Sequence, residues 1–162
     1  IGEDRFTSPA HAVAQAEVIV LATPALKTID VVQELGDTND KVIIDTMNSV
    51  RGMGPAGFDN TTNAILANTA TRDVVKCFNT TGFENILNPY YGDQSADMFM
   101  AGDSQKGKAI AAQLAREIGF ADCYDLGGND KLTLVEQLAL NWINLALFQG
   151  YGRNIAFTVL KR

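Results

Sequence analysis

Three short apolar runs constrain this chain more than any other feature: Glu17-Val18-Ile19-Val20-Leu21-Ala22, Lys41-Val42-Ile43-Ile44-Asp45 and Asp73-Val74-Val75-Lys76-Cys77-Phe78. Each is rich in β-branched residues and nearly continuous rather than alternating. Such runs belong to strands covered on both faces, as in parallel sheets. A fourth run, Asp97-Met98-Phe99-Met100-Ala101, and a weaker fifth, Ala121-Asp122-Cys123-Tyr124-Asp125, follow. Helical patterns lie between them. Thr23 is read as a cap and Pro24 as a first helical residue, with Leu26, Ile29 and Val32 following and Gly36 as the stop. Later, Asp103 or Ser104 caps a helix whose stripe is Ile110, Leu114 and Ile118, ended by Gly119. Strand-helix-strand units of this length give right-handed crossovers. The expected class is α/β, with a Rossmann-like parallel sheet followed by C-terminal helices.

The 162 residues suit one domain. Residues 1–128 are expected to form the sheet-bearing part, and residues 129–162 a C-terminal helical segment. From Leu132 to Phe148 apolar residues fall on nearly every side of a helix. One sheet face covers only one side, so a partner chain is expected through 131–160, giving a homodimer; burial within the monomer under a final short helix around Ile155–Leu160 is the alternative. The formal charge of −6 argues against nucleic acid and against a polybasic membrane anchor. No apolar run reaches the roughly 20 residues of a spanning helix. Ile1-Gly2-Glu3-Asp4-Arg5 reads as neither a signal peptide nor an initiator Met. Cys77 and Cys123 lack metal-ligand spacing, so free thiols in a reducing cytoplasm and no metal are expected. The single His11, behind Ser8-Pro9, is read as a residue of a short helix's first turn, with a capping or surface role.

Ligands of open parallel sheets bind beyond the carboxyl ends of the strands. Three such ends are readable: Ala22-Thr23-Pro24, Asp45-Thr46-Met47-Asn48-Ser49 and Phe78-Asn79-Thr80-Thr81-Gly82. Thr81-Gly82-Phe83-Glu84 reads as a capping box that starts a helix. Gly52-Met53-Gly54-Pro55-Ala56-Gly57 fits GxGxxG but fails as a dinucleotide fingerprint. Six residues, Thr46 to Arg51, separate it from the strand end, and Pro55 lacks an N–H. It is read as a loop suited to a flap. Asp45 is the best-placed acid, without an evident partner, and Lys76 is a cation inside an apolar strand. No residue is nominated as catalytic, which fits hydride transfer, where the cofactor carries the chemistry.

The three strand-end segments, with Met100-Ala101-Gly102-Asp103 and the Leu-rich tail around Trp142, resemble the deazaflavin (coenzyme F420)-dependent NADP oxidoreductases over about Ser8 to Arg162. The cytosolic domains of six-transmembrane metalloreductases share the pattern. The resemblance implies a Rossmann fold, NADP as cofactor and a flavin or deazaflavin as second substrate. It implies that Ala22, Thr23, Pro24, Met47 and Asn48 line the cofactor. It places Cys77, Phe78, Asn79 and Thr80 where nicotinamide meets the acceptor, and dimer contacts in the C-terminal helices. It further implies a Gly-rich βαβ unit preceding the segment, holding the pyrophosphate and the residues that choose NADP over NAD. The expected activity is an NADP-dependent oxidoreductase. The alternative is a non-catalytic nucleotide-binding or dimerisation module. A phospho-acceptor receiver with Asp45 as target is a weaker third reading.

Overall fold

The computed structural model describes residues 5–162; the reading of Ile1 to Asp4 lies outside them. The elements are α1 (Pro9–Gln15), β1 (Val18–Leu21), α2 (Thr28–Gln33), β2 (Val42–Asp45), α3 (Thr61–Asn68), β3 (Val74–Cys77), α4 (Phe83–Leu87), β4 (Tyr90–Tyr91), β5 (Gln94–Ser95), β6 (Met98–Ala101), α5 (Gln105–Ile118), β7 (Cys123–Asp125) and α6 (Leu132–Ile143). Five strands form one sheet in the order β1-β2-β3-β6-β7, and β4 pairs β5 in a small ribbon. The α/β Rossmann-like class expected from the apolar runs is the one observed.

The pairs β1/β2 and β2/β3 are parallel, with Val18 beside Val42, Leu21 beside Asp45, and Asp45 beside Lys76. One pair departs from the parallel expectation. β3 and β6 are antiparallel, with Cys77 beside Met100. The chain leaving β3 passes through α4 and the β4/β5 ribbon and enters β6 without a crossover helix. α5 then supplies one, and β7 is again parallel to β6.

The continuous runs are buried on both faces, as their composition demands. Ile43, Met47, Ile65 and Val74 pack on the side of α2 and α3. Val42, Ile44, Val75 and Met98 pack against Ala111 and Ala115 of α5. β1 is one edge of the sheet among the described residues, and β7 the other. Ile19 and Leu21 point into the core, while Val20 is 56% exposed.

Helix ends follow the local chemistry in part. Ser8 accepts from the His11 N–H, placing exposed His11 in the first turn of α1, where its ring pairs with Gln15. Ser104 caps α5 through the Gly107 N–H, and Gly119, at φ 111°, ends it. Thr23 caps nothing. A 3-10 turn (Ala25–Lys27) precedes α2, its geometry set by the Thr28 hydroxyl donating to the Ala25 carbonyl. The final helix expected near Ile155 is absent. The chain after Asn144–Phe148, a π-helical turn, is an irregular strap. Its backbone is claimed by side chains instead of a helical ladder. Asn85 Nδ2 donates to the carbonyls of Arg153 and Ile155, Trp142 Nε1 donates to the Ile155 carbonyl at 2.6 Å, and Asp97 Oδ2 accepts from Thr158 Oγ1 and the Val159 N–H. No helix of the described residues is long and apolar enough to cross a membrane.

The α5 cap is itself oriented by a carboxylate, since Ser104 Oγ donates to Asp73 Oδ1 at 2.7 Å. That hydrogen bond, assisted by Lys106, holds the Asp73 carboxyl below its ordinary pKa. A depressed carboxylate stabilises the fold above its unfolded-state pKa, and the contribution is lost as pH falls through the folded value. Asp73→Asn is therefore expected to destabilise near neutrality, and the deficit is expected to shrink as pH falls below the ordinary carboxylate range. Urea unfolding near neutrality and in acid reads the difference.

Candidate functional site

The carboxyl ends of β1, β2 and β3 converge. Thr23 Oγ1 donates to the Met47 thioether at 3.3 Å. Asn48 Nδ2 donates to the Asn79 carbonyl, and Asn79 Nδ2 donates to Asn48 Oδ1, both at 2.9 Å. Three segments far apart in sequence thus form one polar rim, fixed by parallel pairing of the strands that carry them.

Beneath the rim lies a buried ionic cluster. Lys76, fully buried in β3, donates to Asp45 Oδ2 (2.9 Å), the Met47 carbonyl (2.8 Å) and Thr61 Oγ1 (2.8 Å), and its ammonium stands 2.9 Å from Glu136 Oε1 of α6. Asp45 also accepts from the hydroxyls of Thr61 and Thr62, each at 2.6 Å, and from the Met47 N–H. Asp45 therefore has the partners its sequence did not reveal. With every oxygen engaged and no exposed surface, it cannot act as an exchanging acid or a phospho-acceptor. The cluster fixes the turn after β2, the start of α3 and the face of α6 around one cation.

β3 ends in a strained turn. Phe78 has φ 61°, a left-handed backbone uncommon for a bulky aromatic residue. The turn delivers Asn79 to Asn48, while the Phe78 ring packs toward Phe120 with centroids 6.5 Å apart. Asn79 is 4% exposed, and its Oδ1 has no partner among the described residues.

Two clefts open from the rim. One, of about 520 Å³, is lined by Asn48, Asn79, Thr81, Gly82, Phe83, Trp142, Leu147 and Arg153, with Val50 and Met53 on its outer side. The other, of about 430 Å³, is apolar and runs past Val20, Ala22, Ile44, Phe78, Phe83, Leu114 and Ile118. Loop residues Val50 and Met53 also border a smaller hollow with Pro24, Ala25 and Asn48. The Gly52–Gly57 segment thus lies beside the clefts and does not turn a strand into a helix.

Of the residues expected to bind cofactor, Ala22, Pro24, Asn48, Phe78 and Asn79 border the clefts, and Thr23 joins the rim. The side chains of Met47, Cys77 and Thr80 are buried. Met47 sulfur accepts from Thr23 and Thr28, Thr80 Oγ1 donates to the Met98 sulfur, and Cys77 packs in the core. Burial pushes the Cys77 thiol pKa up, and its sulfur lies 3.9 Å from that of Cys123; both thiols are free.

Sequence reading missed the far wall of the larger cleft. Gly82, not Thr81, occupies the cap position of α4, without a side-chain cap. A Cβ on Gly82 would stand 2.7 Å from the Trp142 ring, so the indole lies directly on the loop. Thr81 Oγ1 instead accepts from Asn85, and Glu84 turns to Arg153, whose Nε and Nη2 face its two oxygens. The Arg153 guanidinium sits 5.6 Å from the Trp142 ring centroid and holds the Glu84 carboxyl below its ordinary pKa.

A mixed sheet flanked by helices, with polar strand tips meeting at one edge, defines the Rossmann-like α/β class. Within that class, residues 3–49 match the family model of the NADP oxidoreductases, coenzyme F420-dependent. A candidate F420-dependent NADP reductase from Arthrobacter sp. FB24 superposes with a TM-score of 0.80 at 27% identity, covering 96% of this chain and 74% of its own. The resemblance to the F420-dependent NADP oxidoreductases is thereby borne out over the first two strand ends; the likeness to the six-transmembrane metalloreductases is not. Two further structures share the fold: hypothetical protein SMa0349 from Sinorhizobium meliloti (TM-score 0.64, 24% identity, 95% and 71% covered) and a reductive aminase from Aspergillus terreus solved with NADPH4, cyclohexanone and allyl amine (TM-score 0.58, 14% identity, 88% and 46% covered). No curated protein matches the chain in sequence.

Proposed function

We propose that the protein is an NADP-dependent oxidoreductase that passes hydride between nicotinamide and a flavin-like or deazaflavin ring in the cleft at the strand tips. The observation that carries this reading is Asn79 Oδ1, a buried acceptor at the rim with no partner among the described residues. A buried acceptor costs free energy until a donor reaches it, and a carboxamide N–H is such a donor. When bound, reduced nicotinamide supplies two electrons and one proton as hydride, and the acceptor ring takes its second proton from water. The protein's part is placement. Asn48 holds the Asn79 amide in one orientation, and Thr23 and Met47 lock the neighbouring tips. Ala22, Pro24 and Phe78 offer apolar or backbone surface to the ligand, and Cys77 and Thr80 shape the floor from beneath. Phe83 gives the acceptor a flat, exposed wall, and buried Trp142 backs it.

The Arthrobacter relative supports NADP as the nucleotide. Among the described residues the outer edge of β1 is unpaired, which suits a further strand of the kind the resemblance associates with the Gly-rich turn. The homodimer belongs to the same reading. Glu136 and Trp142 turn the inner face of α6 to the core, while Leu134 is about half exposed and Leu138, one turn on, partly exposed, a face suited to a second copy. A solution mass of one chain by light scattering would remove the dimer. For the activity, titration of NADPH into the full-length protein is expected to give saturable enhancement of nicotinamide fluorescence. No binding at millimolar NADPH defeats the reading. Tight binding without reduction of any flavin-type acceptor would favour the non-catalytic module.

A further inference from the structure

We propose that Arg153 is the specificity-determining residue of the larger cleft, selecting acceptors that carry a negatively charged group. This rests on the oxidoreductase reading. Among the described side chains lining that cleft, Arg153 is the charged one; the others are amides, a hydroxyl, a glycine and apolar side chains. A chain of net charge −6 repels anions as a whole, so a cation fixed at the cleft mouth favours an anionic acceptor there. The position of that cation is built. Asn85 Nδ2, on a residue 3% exposed, holds the Arg153 carbonyl at 3.0 Å, and the next anchor, the Ile155 carbonyl, is held by both Asn85 and Trp142. The backbone is pinned while the side chain stays 43% exposed at the mouth.

Glu84 engages Nε and Nη2 of the guanidinium. Five N–H donors in a planar fork leave the Nη1 pair for a ligand oxygen. Glu84 is itself partly exposed, so it is a competitor that a phosphate or carboxylate can displace into water. The buried Trp142 face supports the guanidinium from beneath, and the exposed Phe83 ring, on the same cleft, is the flat surface open to the ligand. A planar ring against Phe83, with an anionic arm reaching Arg153, engages both groups at once.

FMN and riboflavin share one ring system and differ by a phosphate, so they isolate the charge. The test is NADPH-driven reduction of each by the full-length protein. In that step hydride passes from reduced nicotinamide to ring N5, N1 takes a proton from water, and NADP+ leaves with the dihydroflavin. Parent protein is expected to favour FMN in kcat/KM by about tenfold. In Arg153→Gln that ratio collapses toward one, through KM. In Glu84→Gln, which frees the guanidinium, the ratio rises above the parent's. An ion pair that merely holds the strap predicts that both substitutions damage both flavins alike, and that result overturns the proposal. So does a parent ratio of one. Failure of the parent to reduce either flavin, despite NADPH binding, would instead overturn the flavin-type acceptor and this inference with it. Unfolding temperatures of the two variants separate loss of fold from loss of selectivity.

Discussion

Replacing Lys76 by methionine is expected to lower the unfolding temperature of the protein by about 6–20 °C, the largest effect of any single substitution considered for this chain. Lys76 is fully buried, and two carboxylates face its ammonium, Asp45 at 2.9 Å and Glu136 at 2.9 Å. Removing the cation leaves both acids in the core without their counter-charge, which costs about 3–5 kcal/mol when one partner of a buried pair is lost. For a domain of this size each kcal/mol moves the midpoint by roughly 2–4 °C. The loss is specific to breaking the cluster, not to removing polarity. Exchanging Lys76 and Glu136 together for apolar residues, with Asp45→Asn, is expected to recover much of the stability, because the desolvation of all three charges disappears with them. Calorimetry of the single and triple variants checks both statements. A shift of less than about 2 °C in Lys76→Met would mean that water reaches the carboxylates.

That cluster shows where sequence reading succeeds and where it stops. The β-branched runs specify the sheet, because continuous apolar strands are stable only between two covering layers. Ser104 and Gly119 bound α5 by their own local chemistry. The strand tips Thr23, Asn48 and Asn79 could be placed at one edge because parallel strands put all their carboxyl ends on the same side. What could not be read were pairings set by tertiary packing. Lys76 in an apolar strand and Glu136, the one charged residue between Leu132 and Phe148, are two isolated charges of opposite sign. Their isolation in apolar surroundings was the available signal that they meet, since a buried charge demands a partner. The antiparallel entry of β6 left no such trace, because its pattern of Met and Phe fits either direction. Thr81 and Glu84 matched a capping box, yet Asn85 and Arg153 took both side chains. Local motifs lose to long-range partners wherever a strap such as residues 153–159 brings carbonyls and a guanidinium from elsewhere. Arg153 itself lies in a segment with no periodicity, so only the fold reveals that it reaches the cleft.

Asn79→Ala is expected to weaken NADPH binding about ten- to thirtyfold while leaving the fold intact. The side chain has two tasks. Its Nδ2 satisfies Asn48 Oδ1, and its Oδ1 waits, buried, for a donor. Truncation removes the ligand's acceptor, worth about 0.5–1.5 kcal/mol for a neutral hydrogen bond. It also strands Asn48 Oδ1 and loosens the rim that presents the ligand to the cleft, so the total reaches about 1.4–2 kcal/mol in affinity. Stability changes less, because the Asn48 Nδ2 bond to the residue 79 carbonyl survives the substitution. Asn79→Asp separates the two tasks. It keeps shape and acceptor but sets an oxygen against Asn48 Oδ1, so it is expected to cost more stability than alanine does. Thr80→Ala, one residue on, serves as the contrast. That hydroxyl is 2% exposed and donates to the Met98 sulfur, so its loss is expected to register in the unfolding temperature before it registers in NADPH affinity. Fluorescence titration and thermal unfolding of the three variants give the two readouts side by side. Equal NADPH affinity in the parent and Asn79→Ala would remove the amide rim from the cofactor site.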